Sequence, residues 1–307
     1  MGVKENTVYM SSASILMSVI VIGINSYLLM RFVLRKHSAS MQHYSILKIK
    51  MAFDWCFALV TVVYSGSVIS RIYGITGMQI LFYCGNVIQS MEAALGVLNV
   101  FIASDRLCAM RKPLHYSRYY NGVIQKTAIA TVSVGISICF VTYSVTRPNM
   151  SDGYMFTHLV NRLVQSIIHL TTVGILLFSM VVTAVFLYDF HGFLKKQRTN
   201  HLMSYTRSVN AANRVVVYLM AIEFVCLVVP NFLEVILRHY FDIRMGNFGP
   251  IIHPLYVLYM TISSVMFIVS VANKPKSSPP STNHAVHSSR TIHPEPVHSE
   301  SRWISGL

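Results

Sequence analysis

Charge is scarce in this 307-residue chain. Only 12% of its side chains are Asp, Glu, Lys or Arg, about half of what a soluble domain carries. Acidic residues are the scarcest, 11 against 25 basic ones. With 53% hydrophobic residues beside them, a water-soluble fold is excluded. Cysteine is sparse as well. Three of the five (Cys56, Cys139 and Cys226) fall inside apolar runs, while Cys84 opens the third run and Cys108 closes it. That placement reads as neither a disulfide framework nor a metal site. No His-Glu-x-x-His and no Gly-x-Gly-Asp occurs, so catalysis has no visible machinery and no cofactor is expected. No small-residue cleavage site follows a short apolar core, so no cleavable signal peptide is expected.

What is there is apolar length. Seven stretches can cross about 30 Å of hydrocarbon: Met10–Leu34, Ile46–Ser70, Met78–Ala109, Ile124–Val145, Val164–Leu187, Val215–Leu237 and Pro250–Val271. Each should be a helix, because hydrocarbon offers no partner to an unpaired backbone group. The second is the weakest, since Lys48, Lys50 and Asp54 crowd its first half. The expected fold is an all-α seven-transmembrane bundle over residues 10–272. A short N-terminus (1–9) precedes it and a disordered tail (273–307), rich in Ser, Pro and His, follows it. The tail histidines read as part of a loose polar segment rather than a metal site.

Basic residues set the orientation. Nineteen of the 25 Lys and Arg flank the first, third and fifth loops or follow the last run, and six lie on the other side. The rich side is cytoplasmic. The N-terminus is therefore expected outside and the C-terminus inside. The positive excess then reflects topology and an anionic lipid bilayer, not nucleic acid. The sequon at Asn149 falls in a loop that this orientation places outside, where it can be glycosylated.

The third stretch organises the rest. Glu92 and Arg106 stand fourteen residues apart. That is nearly four turns, so they share a face, about 21 Å apart. A charged face cannot look at lipid, so it must look into the bundle. Asp54 lies in apolar surroundings, either as the hub of a polar network with Asn25, Asn99 and Ser263 or neutralised by Lys50 four residues earlier. Glu92 is either a ligand contact or a buried carboxylate tied to Gln89 or His169. Asn86, Gln89, His169 and His253 are the other candidate ligand contacts. Pro230 removes a backbone hydrogen bond from the sixth helix, as a hinge or as a passive kink.

Seven helices, with Ser104-Asp105-Arg106-Leu107 closing the third and Arg111-Lys112-Pro113-Leu114-His115-Tyr116 after it, resemble the rhodopsin-like G-protein-coupled receptors. Asn25, Asp54, Phe224 and Pro230 resemble that group's landmarks in the first, second and sixth helices. Three stretches resemble the nematode serpentine chemoreceptors of the Srbc-like class: Ile24 to Phe32, Lys50 to Trp55, and Asp105 through Pro113 to Tyr120. The chain departs from the wider group in four places. The loop from Thr146 to Leu163 has no Cys to pair with Cys84. The fourth helix has no Trp. Ser263 to Phe267 stands where Asn-Pro-x-x-Tyr is usual, and no acidic partner for Arg106 appears near Asn210 and Arg214.

The resemblance implies a plasma-membrane chemosensory receptor, of the kind found in sensory cilia. It would bind a small-molecule ligand in an outer helical pocket and activate a heterotrimeric G protein. Asp105, Arg106 and Pro113 would form the switch, with Phe224 and Pro230 as the hinge. Arg106 is alternatively an interface anchor. The tail serines are candidate sites for a kinase or arrestin. A ligand-gated channel or a transporter is the competing reading, although no internal repeat is visible and seven spans do not halve. A retinal pigment is excluded because the seventh helix has no Lys for a Schiff base.

Overall fold

The computed structural model describes residues 3–34, 45–75, 77–111, 116, 120–148, 153, 155–199, 216–240 and 251–272. The chain divides into two compact units, Met1–Asn273 and Lys274–Leu307, and the described residues all belong to the first. The expected tail, Pro113 and Asn149 lie outside the described residues.

Seven helices occur among the described residues. They are α1 (Val3–Leu34), α2 (Ser45–Ile72), α3 (Met78–Arg111), α4 (Asn121–Val145), α5 (Arg162–Thr199), α6 (216–240) and α7 (Ile252–Ala272). Helix keeps every backbone partner inside the segment, which hydrocarbon demands. The hydroxyls follow the same logic. Ser14 donates to the Met10 carbonyl at 2.9 Å, and Thr183 to the Ser179 carbonyl at 2.7 Å. These side chains thus satisfy themselves one turn back along their own helix. α7 carries Pro254 in its first turn, where no intrahelical N–H is needed.

Six of these helices are long and apolar enough to cross a membrane; α2 is the exception. Its charges explain this and also show how it fits the bundle. Lys50 and Asp54 are buried, and Lys50 Nζ donates to Asp54 Oδ2 at 2.6 Å. Neither charge faces outward. Lys48 Nζ lies 5.4 Å from the Phe32 ring of α1, so its charge rests on an aromatic face.

α3 is the axis. It packs against α2, α4 and α5, while α1 packs against α2 and α7. In its apolar window 61% of residues are buried, against 17% in α4. Leu95, Leu98 and Ile102 meet Phe57, Leu176 and Met260 in one continuous apolar core. This centrality is what lets α3 carry ionisable groups. Its polar side chains are screened from lipid by neighbouring helices rather than by water.

α6 departs from the expected geometry. Residues Phe224–Val228 form a π-helical turn, closed by Val229 N–H donating to the Phe224 carbonyl. Pro230 follows at once. Its missing N–H and its ring disturb the preceding turn, and a wider turn is one way to absorb that. The extra residue also rotates the faces by about 100°. Phe224 consequently points away from the core and is 47% exposed, while Glu223, Cys226 and Leu227 are buried. The residue facing the core at this level is Glu223.

Candidate functional site

Two polar sites lie along α3, one at each end. Glu92 belongs to the first. A cavity of about 120 Å³ opens between α2, α3, α5, α6, α7 and the segment at 155–157. Gln89, Glu92, His169 and His253 all line it. Asn86 does not. It donates to the Phe140 carbonyl and to Ser144 Oγ on α4, both at 3.0 Å. Six residues separate Asn86 from Glu92, which puts them about 120° apart around the helix. Asn86 ties α3 to α4, and the ligand contact expected of it is corrected.

Glu92 is held from two sides. Gln89 Nε2 donates to Oε2 at 2.5 Å, and His253 Nδ1 lies 2.9 Å from Oε1. A carboxylate only accepts, so Nδ1 carries the proton. The His253 ring sits beside Phe57, at 5.9 Å, and edge-on to Tyr64, at 5.7 Å. A second pair stands on α5 and α6. His169 Nε2 lies 3.6 Å from Glu234 Oε2, within ion-pair range but too long for a hydrogen bond. Glu92 is tied to Gln89 and lines the cavity. Its histidine partner is His253, not His169.

The wall at 155–160 is fastened without a disulfide. Phe156 packs edge-on to Tyr143 at 5.3 Å and tilted to Phe82 at 5.8 Å, and its backbone N–H points to the Tyr64 hydroxyl at 3.4 Å. Leu159 and Val160 join the same apolar cluster. None of the five cysteines, Cys84 among them, forms a disulfide among the described residues. Aromatic packing takes the place of a covalent tie here.

The second site lies at the Arg106 end. Arg106 and Asp105 are buried, with side chains 2% and 0% exposed. Asp105 Oδ2 accepts from Arg106 Nε at 3.0 Å and from the terminal Nη2 at 2.5 Å. Its other oxygen, Oδ1, accepts from the Tyr116 hydroxyl at 2.7 Å. Burial, and then the Asp105 carboxylate, push the Tyr116 phenol above its ordinary value. It therefore stays a donor at neutral pH. Both oxygens of Asp105 are thus occupied, and Tyr116 is tied to the helix end. Tyr116 was visible in the sequence only as the close of the Pro-containing loop. Nearby, Arg111 Nε donates to Asp189 Oδ2 on α5 at 2.5 Å.

Between the two sites runs a buried polar layer. Asn25, Asp54, Asn99 and Ser263 are all buried, but they do not bond to one another. Asn25 Nδ2 donates to the Met51 carbonyl at 3.4 Å. Asp54 pairs with Lys50. Asn99 Oδ1 accepts from the Tyr259 hydroxyl at 3.3 Å. Ser263 Oγ has no hydrogen-bond partner among the described residues. The hub expected at Asp54 is therefore replaced by an ion pair. Lys50 Nζ also sits 4.7 Å from the Tyr259 ring. Glu223 approaches Asn99 and Ser179 from α6. Lys50, Tyr259 and Glu223 are the members of this layer that the hub reading left out. Tyr259 and Glu223 come from helices far away in the chain, which spacing alone cannot bring together.

The chain's likeness to known proteins is specific in one respect. Residues 4–274 match the family profile described as "Serpentine type 7TM GPCR chemoreceptor Srbc". A comparison with curated proteins found no match.

Proposed function

Because this chain belongs to the Srbc family of serpentine seven-transmembrane chemoreceptors, we propose that it binds a small molecule in the Glu92 cavity and signals through a heterotrimeric G protein at the Arg106 end. It is a multi-pass membrane protein. In this reading the N-terminus is outside, the Arg106 end faces the cytoplasm, and the receptor resides in the plasma membrane of a sensory cilium. The reading rests on one observation: a single buried helix, α3, carries an ionisable group in the wall of a cavity and a locked Asp105–Arg106 pair at its far end. A ligand that binds more tightly when the inner ends of α5 and α6 are apart would shift the population toward that state. Arg106, freed from Asp105, would then present its guanidinium to the G protein. A kinase or arrestin would read the tail.

The test is a ligand-library screen in cells that carry a promiscuous G protein and a calcium readout, run on wild type and Arg106→Ala. The expected result is an agonist response in wild type that Arg106→Ala abolishes at equal surface expression. Normal signalling by Arg106→Ala would defeat the switch. A ligand-gated current without any G protein would turn the reading toward a channel.

A further inference from the structure

Resting on the receptor reading above, we infer that the cavity takes a compact organic cation, a small protonated amine, seated on Glu92. The charge of the wall comes first. Two carboxylates, Glu92 and Glu234, line the cavity, and among the described residues no Lys or Arg lines it with them. An anionic ligand would meet two negative groups and no counter-charge. A neutral one would leave the carboxylates without compensation beyond their histidines. A buried carboxylate needs a charged or hydrogen-bonded partner, and an ammonium supplies both.

The hydrogen-bonding inventory points the same way. His253 donates a hydrogen bond from Nδ1–H to Glu92 Oε1. Its Nε2 is buried without a hydrogen-bond partner among the described residues, whereas Nε2 of His169 faces Glu234 at 3.6 Å. In a neutral imidazole with Nδ1 protonated, Nε2 is an acceptor. The charged acceptors in the wall are the two carboxylates, and an ammonium is a donor to them. Tyr64, Phe156 and Tyr256 add aromatic side chains to the wall, and a cation held over an aromatic face gains further attraction.

Size and depth narrow the class. The volume of about 120 Å³ is somewhat less than the roughly 150 Å³ of a cavity that takes benzene. A branched or cyclic amine of a few carbons fits, and a large alkaloid does not. Glu92 and His253 are the deeper pair, with side chains 8% and 11% exposed. Glu234 and His169 are shallower, at 24% and 22%. The ammonium should dock on Glu92, where it is best desolvated, with Glu234 drawing it in from the rim.

The experiment uses the full-length receptor in nanodiscs at neutral pH. It compares isobutylammonium and cyclopentylammonium with isobutanol and isobutyrate, reading ligand-dependent thermal stabilisation. The two ammonium ions should stabilise saturably at concentrations where the alcohol and the carboxylate do nothing. Glu92→Gln should weaken that apparent affinity at least tenfold, and Glu234→Gln about threefold. If Glu92→Gln does not reach the surface, Glu234→Gln carries the test alone through the same ammonium-selective loss. Equal or better binding by isobutanol or isobutyrate overturns the cation assignment while leaving a small-molecule receptor. Silence of both ammonium ions, or wild-type affinity in the carboxylate variants, overturns it too. An agonist of another class found in the cell screen would then keep the receptor reading alive.

Discussion

Gly85 on α3 and Phe156 on the wall segment occupy adjoining space so closely that a Cβ at position 85 would stand 2.6 Å from the Phe156 Cβ and ring. The missing side chain is what lets the aromatic ring seat itself between Phe82 and Tyr143. Gly85→Ala should therefore drive Phe156 off its seat. Because the contact includes the Phe156 Cβ, a simple ring rotation does not relieve it. Overpacking of this kind costs about 1–3 kcal/mol, so the thermal midpoint of the purified receptor should fall by several degrees. Ligand dissociation should quicken as well, since Phe156 also lines the cavity. Gly85→Ala in a Phe156→Ala background should cost much less. An unchanged midpoint in the single variant would refute the seat.

Tyr116 makes a sharper claim about the Arg106 end. Its hydroxyl donates to Asp105 Oδ1 at 2.7 Å. Tyr116→Phe leaves that buried oxygen unsatisfied, which costs about 1–3 kcal/mol, more where the group is charged. The cost falls on the state in which Asp105 and Arg106 are locked. Ligand-free signalling in the calcium assay should therefore rise several-fold in Tyr116→Phe. Basal signalling equal to wild type would remove Tyr116 from the lock.

The sequence carried some of this geometry and withheld the rest for identifiable reasons. Glu92 and Arg106 share a face because fourteen residues close nearly four turns, and both are buried. The same periodicity, applied to Asn86, already points it away from Glu92. α2 looked weak because hydropathy sums Lys50 and Asp54 as two charges, whereas the fold joins them into one neutral pair. The outward face of Phe224 was not legible, because a π turn resets the helical phase and no residue spacing announces it. The His253–Glu92 contact joins residues 161 apart and needed the assembled bundle. Phe156 escaped because an apolar residue in a loop has no periodicity to betray its partner.

His158 gives a pH dependence with a definite sign. Burial, and then the neighbouring Arg162, hold its imidazole below the ordinary 6.5. The unfolded chain therefore binds the proton first as pH falls. The stabilising contribution is complete above about pH 6.5 and is lost as pH drops through the lower folded value. His158 is exposed, so solvent screening keeps the effect modest. The thermal midpoint should fall more between pH 7.5 and 5.5 in wild type than in His158→Gln. Identical pH slopes would detach His158 from the fold's acid sensitivity.

The Lys50–Asp54 pair offers a test of why α2 sits in the bundle at all. Removing one partner of a buried pair strands the other charge, at roughly 3–5 kcal/mol, whereas replacing both with apolar residues of similar volume is often neutral. Lys50→Met should thus sharply reduce surface expression, because Asp54 keeps its buried carboxylate and loses its 2.6 Å partner. Asp54→Leu should do the same by stranding Lys50 against the Tyr259 ring. The double variant Lys50→Met with Asp54→Leu should recover most of the lost expression, a coupling well above 1 kcal/mol in a double-mutant cycle. If the pair serves only to let α2 enter the core, the double variant should also signal. If it expresses but stays silent to agonist, the pair takes part in the transition itself, through Tyr259 and the Glu223 layer. Additive losses would show that the two charges act independently and that some other contact admits α2 to the bundle.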